Sequence, residues 1–301
     1  MISGFSPSSK FFNNQSFPHI FPSTKENTMI TIFRFLFLGL CFFAALLPIQ
    51  AQNVITPIKY GFFVQAGYGL PTMSHPNIRT TFARPLNPEI VVGYALHFNQ
   101  KLTNGEIRGL QTYDLYANGL INSGANDVPA SIIRFGGRFR RGIGYGLGED
   151  ASLIPYAVSG AGFSVFSLGS GKLPIDQEQA LMADFASAVR LGQVGEGGLS
   201  LQFKNGLGIH AGFERSLMYP NYIFLEDLVA GIIQFGVAEF GASLAANAAQ
   251  SEVFSPLLYF IIRNGIQFGV SELRRNAMNW PFQGPAPLTV DTYKISLSWT
   301  F

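Results

Sequence analysis

The sequence predicts an all-β transmembrane barrel. It should have about eight antiparallel up-and-down strands and a two-helix insert between the last two. Three observations predict it. The chain is apolar and poorly charged: 48% of its 301 residues are hydrophobic and 13% are charged, roughly half the charge of an ordinary soluble domain. Its last nine residues alternate apolar and polar without a fault. Short and long connections between the candidate strands follow one another in strict alternation. Composition also excludes other classes. Low charge with high hydrophobicity is the opposite of a disordered chain. A single cysteine cannot make a disulfide framework. A net charge of +2 gives no electrostatic footprint for nucleic acid.

The first element is an export segment. Phe35 to Ile49 read FLFLGLCFFAALLPI, with Arg34 before and Ala51 after. A basic flank, a short apolar run and a small residue at the cut form a signal peptide. The run falls short of the about 20 residues of a membrane helix. Leu40 precedes Cys41 where lipoprotein processing needs a small residue, so Cys41 is a plain member of the run. Met29 is the expected start of the signal peptide, residues 29–51. Residues 1–28 read as an extra, non-native leader. Removing 1–51 takes away Lys10, Lys25, Arg34 and Glu26, so the basic count falls from 20 to 17 and the acidic from 18 to 17. The mature barrel, residues 52–301, is then neutral and free of cysteine.

The strands follow from a period of two. From Tyr293 the chain reads YKISLSWTF, with Tyr293, Ile295, Leu297, Trp299 and Phe301 on one face and Lys294, Ser296, Ser298 and Thr300 on the other. In a membrane barrel the first face meets lipid and the second the lumen. The pattern recurs from Tyr60 to Leu70, from Ile90 to Asn99, around Ile133 to Arg140, at Leu199 to Lys204, and from Leu207 to Leu217. Two weaker strands are needed near Glu106–Gly119 and Ile154–Phe166. Asn104-Gly105 and Asn205-Gly206 are strong hairpin signals, because such turns need φ > 0, and Gly148-Glu149-Asp150 makes a third tight turn. The other connections, 71–87, 120–129, 167–193 and 220–287, are long. Short turns on one side and long loops on the other place both termini in the periplasm.

Residues 220–287 break the period of two. Tyr222–Gln250 and Pro256–Arg275 read as two helices, with Pro256 suited to a first turn. Leu257 to Ile262 is apolar all round, and Gly265 and Gly269 form a small-xxx-small pair. Glu226, Asp227, Glu239, Arg263 and Glu272 count against a membrane span, since a charge at mid-bilayer costs about 2.5–3.5 kcal/mol on insertion scales. The expectation is a hairpin docked on the barrel mouth or lying at the outer leaflet. A shorter helix is expected near Ile175–Leu191, with Asp176 and Glu178 in its first turn.

Little chemistry is written in the chain. Gly169-Ser170-Gly171-Lys172 lacks the upstream Gly and the following Ser/Thr of a phosphate loop. No nucleophile elbow or HExxH is present, and neither a cofactor nor a metal is expected. Arg134, Arg138, Arg140, Lys204, His210 and Glu214 share the lumen parity and read as an internal ion network, with Ser216 on the same face. His75 is a loop residue.

A signal peptide followed by strands ending at an aromatic carboxy-terminal residue resembles the bacterial outer-membrane β-barrel class, in the manner of small porin-like or OmpA-like barrels. The resemblance implies an outer-membrane location and a lipid bilayer as partner. It also implies that the barrel-assembly machinery reads Tyr293, Trp299 and Phe301 as an insertion signal. Residues 220–287 are the expected contact for an envelope protein or lipid. Three functions stay open: a structural, binding or narrow-pore barrel; a lipid- or glycan-modifying barrel enzyme using His210, Glu214 or His75; and a soluble periplasmic β-protein.

The leader reading makes a direct prediction. Amino-terminal sequencing of membrane-extracted protein should find the chain beginning within a few residues of Gln52. A product that retains Phe35–Ile49 would contradict it.

Overall fold

A computed structural model describes residues 55–79, 82, 86–102, 105–120, 130–168, 176–186, 189–220, 254–280 and 284–301. The export segment 29–51, the residues before it, the 169–172 turn and the first insert helix 222–250 lie outside the described residues.

Strict alternation builds the barrel. Strands β1 (Ile55–Ser74), β2 (Asn87–Leu102), β3 (Gly105–Leu120), β4 (Ala130–Leu147), β5 (Ala151–Leu168), β6 (Arg190–Phe203), β7 (Leu207–Met218) and β8 (Leu288–Thr300) pair in sequence order, all antiparallel. β8 pairs with both β7 and β1, which closes the sheet and leaves no edge. The strands run from 12 to 20 residues, longer than the about 9–11 that cross a bilayer. One rim carries the tight turns. There Gly148 and Gly206 take φ of 72° and 94°, where a side chain would be strained, and Leu207 N–H bonds to Asn205 Oδ1. The opposite rim carries the long loops.

The two faces differ as the pattern demands. Tyr60, Phe62, Ile90, Leu115, Ile133, Tyr293 and Leu297 point outward and are exposed, Tyr293 by 70%. Glu89, Asp114, Arg134, Arg138, Glu214 and Lys294 point inward and are buried. An eight-stranded barrel has an interior just wide enough for its own side chains.

Helix α1 (Asp176–Ala186) explains how the loop rim is closed. Its Met182 and Phe185 are wholly buried among Met73, Leu120, Ile132, Phe166 and Val290, the inward side chains of the strand ends. Glu178 Oε1 accepts the Arg79 backbone N–H at 2.9 Å, tying the first loop to this helix.

Helix α2 (Ser255–Arg274) corrects the expectation of a helix at the mouth or outer leaflet. Pro256 stands in its first turn, as expected. The helix packs against the outer wall of β4, β5, β6 and β7. Tyr259 meets Phe98, Ile107 and Ile143 near the turn rim. Arg274 Nη1 bonds to Gln193 Oε1 at 2.7 Å near the loop rim. Arg263, whose charge counted against a membrane position, turns toward the barrel and donates to the Tyr259 hydroxyl at 2.8 Å. The wall beneath is made of small residues. Side chains at Gly195 and Gly197 would collide with Gln267 and Asn264 of the helix.

Candidate functional site

The inward positions stack in layers. Below the α1 plug, four carboxylates (Glu89, Asp114, Glu196, Glu214) meet four cations (Arg134, Arg138, Arg140, Lys294), all buried. Each strand supplies its members by parity: Arg134, Arg138 and Arg140 from β4, His210 and Glu214 from β7, Lys294 from β8.

Lys294 is the hub. Its Nζ lies 2.7 Å from both Glu89 oxygens, 2.8 Å from Glu214 Oε2 and 3.3 Å from Glu196 Oε2. Arg138 completes the layer, with Nε on Asp114 Oδ1 at 3.0 Å and Nη1 3.2 Å from Glu89 Oε2. It also lies over the Tyr116 ring. Arg134 Nη2 pairs with Glu214 Oε1 at 3.1 Å, and its Nε donates to Asn118. The Tyr156 hydroxyl donates to Glu196 at 2.7 Å. Toward the turn rim, Arg140 donates to Gln65 Oε1 and stacks over Tyr156. Such a cluster is tolerable in a dry interior because the charges balance at close range, although Arg138 Nη2 and Arg140 Nε and Nη2 are buried without a hydrogen-bond partner among the described residues.

Of the residues singled out in the sequence, Arg134, Arg138 and Glu214 meet in this layer, and Arg140 and His210 lie together below it. His210 Nε2 is 2.7 Å from Ser298 Oγ and Nδ1 is 3.5 Å from Arg140. Ser216 donates to Glu214 at 3.0 Å. The serine thus faces a carboxylate already held by three cations, Arg134, Arg138 and Lys294, and the histidine serves a different serine. The placement of Lys204 in the lumen is corrected. It lies in the turn just beyond the end of β6, exposed, 3.8 Å from the exposed Asp150, because strand parity no longer directs a side chain past the last ladder pair. Tyr293, Trp299 and Phe301 line the outer face and are exposed. Among the described residues, no group of three or more His, Cys, Asp and Glu is arranged to hold a metal.

Glu89, Asp114, Glu196 and the role of Lys294 were missed. Lys294 already stood on lumen parity, and nothing nearby in sequence identified its partners. Glu89 lies one residue before the start assigned to its strand, on the inward parity. Asp114 and Glu196 sit in stretches whose alternation is weak.

His75 lies just beyond the end of β1, buried beside the plug. Its Nε2 is 3.1 Å from the Ala286 carbonyl, its Nδ1 accepts the Asn77 N–H, and its ring meets Phe185 edge-on. With Nδ1 accepting, the ring is neutral and Nε2 donates. Burial lowers its pKa below the ordinary 6.5, partly offset by the Ala286 carbonyl.

Two predictions follow from this geometry. Lys294→Met leaves the carboxylates under-compensated and should destabilise the barrel by about 3–5 kcal/mol in urea unfolding with lipid vesicles. Lys204→Met should leave the midpoint unchanged, and equal effects would contradict the assignment. For His75, a depressed folded pKa means its contribution is complete above about pH 6.5 and is lost as pH falls below that, when the unfolded chain takes the proton first. Proteolysis of the 75–86 loop should therefore rise from about pH 7.5 to about pH 5.5, and His75→Gln should flatten that rise. A flat wild-type profile would contradict it.

No family model and no curated protein matches the chain. Among solved structures it is similar to Neisserial surface protein A, over 81% of this chain and 99% of that one, at 11% identity and a TM-score of 0.37. It is similar to Ail, the attachment invasion locus protein of Yersinia pestis, over 80% and 99% of the two chains, at 10% identity and a TM-score of 0.29. Ail in complex with the heparin analogue sucrose octasulfate is matched over 81% and 100%, at 11% identity and a TM-score of 0.30.

Proposed function

We propose that this chain is an integral barrel of the bacterial outer membrane that works as a closed scaffold, with a structural or binding role carried by its loops and insert. The observation that carries this reading is the division of the surface. Large apolar side chains stand exposed on the outer face of β1, β2, β3, β4, β5 and β8, while charges fill the inside. A water-soluble β-protein would bury the first set, and exposed apolar surface on this scale marks a membrane or partner contact.

A pore is disfavoured by the filling. The α1 plug occupies the loop rim, and the ion layer beneath it brings Arg138 and Lys294 onto shared carboxylates. Catalysis by His210 is disfavoured by its enclosure and its bond to Ser298. Tyr293, Trp299 and Phe301, presented outward at the closing strand, are proposed as the surface that the assembly machinery reads. Both termini would lie on the periplasmic side.

Purified protein refolded into detergent or vesicles should migrate faster unheated than boiled, and should give no conductance steps in a planar bilayer. Absence of heat-modifiable mobility would overturn the membrane reading. Regular conductance steps would overturn the closed one.

A further inference from the structure

Helix α2 has its polarity reversed for a helix packed on a water-soluble protein. The face against the barrel wall holds Tyr259, Arg263, Asn264, Gln267, Ser271 and Arg274, all buried. The face turned away holds Leu257, Ile261, Gly265, Gly269 and Leu273, all exposed. In water this arrangement is upside down. The buried polar groups are matched to the wall. Asn264 Nδ2 reaches the Tyr156 carbonyl, Gln267 Nε2 donates to the Val158 carbonyl at 2.6 Å, and Ser159 Oγ donates to Gln267 Oε1 at 3.2 Å. Ser271 Oγ donates to the Gln267 carbonyl.

The outer face is continuous with the belt of the barrel. Phe268 packs on Phe213 of β7, which packs in turn on the exposed Tyr293 of β8. The helix has 20 residues, about 30 Å at about 1.5 Å per residue, and the hydrocarbon core of a bilayer is about 30 Å thick. It climbs from Tyr259 near the turn rim to Arg274 near the loop rim, so it covers the height that the strands cover. Exposed charge appears only at its upper end, where Glu272 pairs with Arg215 at 2.6 Å and with Arg275 at 3.4 Å. No described helix is long and apolar enough to cross a membrane alone, and α2 does not have to, because the barrel wall partners its polar face.

We infer that α2 is part of the membrane-facing surface, with its Leu257–Ile261–Leu273 face covered by the acyl chains of the bilayer. The inference rests on the reading of the barrel as membrane-spanning, and adds that the insert is embedded beside it rather than presented to water. The insert's partner is then lipid, and the lateral surface of the protein is a composite of sheet and helix.

Spin labels on single cysteines test this, in full-length protein carrying Cys41→Ala and reconstituted in phosphatidylcholine vesicles. Labels at Ile261→Cys on α2, Leu297→Cys on the barrel belt and Glu149→Cys in a turn are compared by collision with oxygen, enriched in hydrocarbon, and with a water-soluble nickel chelate. The oxygen-to-nickel ratio at 261 should match that at 297 and exceed that at 149 several-fold. Gly197→Leu, which pushes on Asn264 beneath the helix, should alter the ratio at 261 and leave 297 unchanged. A water-like ratio at 261 with a lipid-like ratio at 297 overturns the inference and leaves the barrel reading standing. A label at 261 shielded from both reagents also overturns it, since protein, either residues 221–253 or a second copy, would then cover the face. A water-like ratio at 297 overturns the membrane reading itself, and the inference with it.

Discussion

An ammonium group at mid-height in a filled lumen sets the terms for the rest of the molecule. Lys294 reaches three carboxylates, Arg138 reaches four, and the buried layer balances four acids against four bases. Taking one ion from water into a dry interior costs several kcal/mol even after relaxation, and only close, well-bonded counter-ions return it. The members come from β2, β3, β4, β6, β7 and β8. The layer can therefore form only when all these strands are in register, since a slip of one residue would turn each of these side chains to the outer face.

The other elements follow from that constraint. Charges this close are strongly coupled only where water is kept out. The α1 plug, with Met182 and Phe185 among the inward strand ends, keeps it out at the loop rim. Tyr116 and Tyr156 take the space that ions leave, and each lies under a guanidinium. With the polar demand met inside, the outer face is free to be apolar, and α2 extends that face by turning its own polar groups toward the wall. Barrel and insert thus obey one rule: polar groups face protein, and apolar groups face outward.

How much of this was legible depended on what each strand faces. β8 has an exposed apolar face on one side and the ion layer on the other, so its alternation is complete and Tyr293 to Thr300 could be assigned to faces from sequence. The lower half of β5 and the upper half of β6 read poorly for a physical reason. Their outer positions, Ala157, Ser159, Gly195 and Gly197, lie under α2, and a helix needs small neighbours there. That is why Glu196 went unseen. Leu257 to Ile262 was visible as an apolar run, and the reversed polarity of its helix was not, because Arg263 and Gln267 show their direction only against the wall. Lys204 has the lumen parity in sequence but stands outside the lumen, because its strand ends at Phe203.

The central claim is that the fold depends on the charge balance around Lys294, and a double-mutant cycle between Lys294 and Glu89 tests it most directly. Urea unfolding in vesicles would compare Lys294→Met, Glu89→Gln and the pair. Removing both partners restores neutrality, so the double variant should be more stable than the sum of the single losses implies, by about 0.5–3 kcal/mol, the range for directly coupled sites. Losses that simply add would mean that the two groups do not sense each other, and would contradict a core organised by charge.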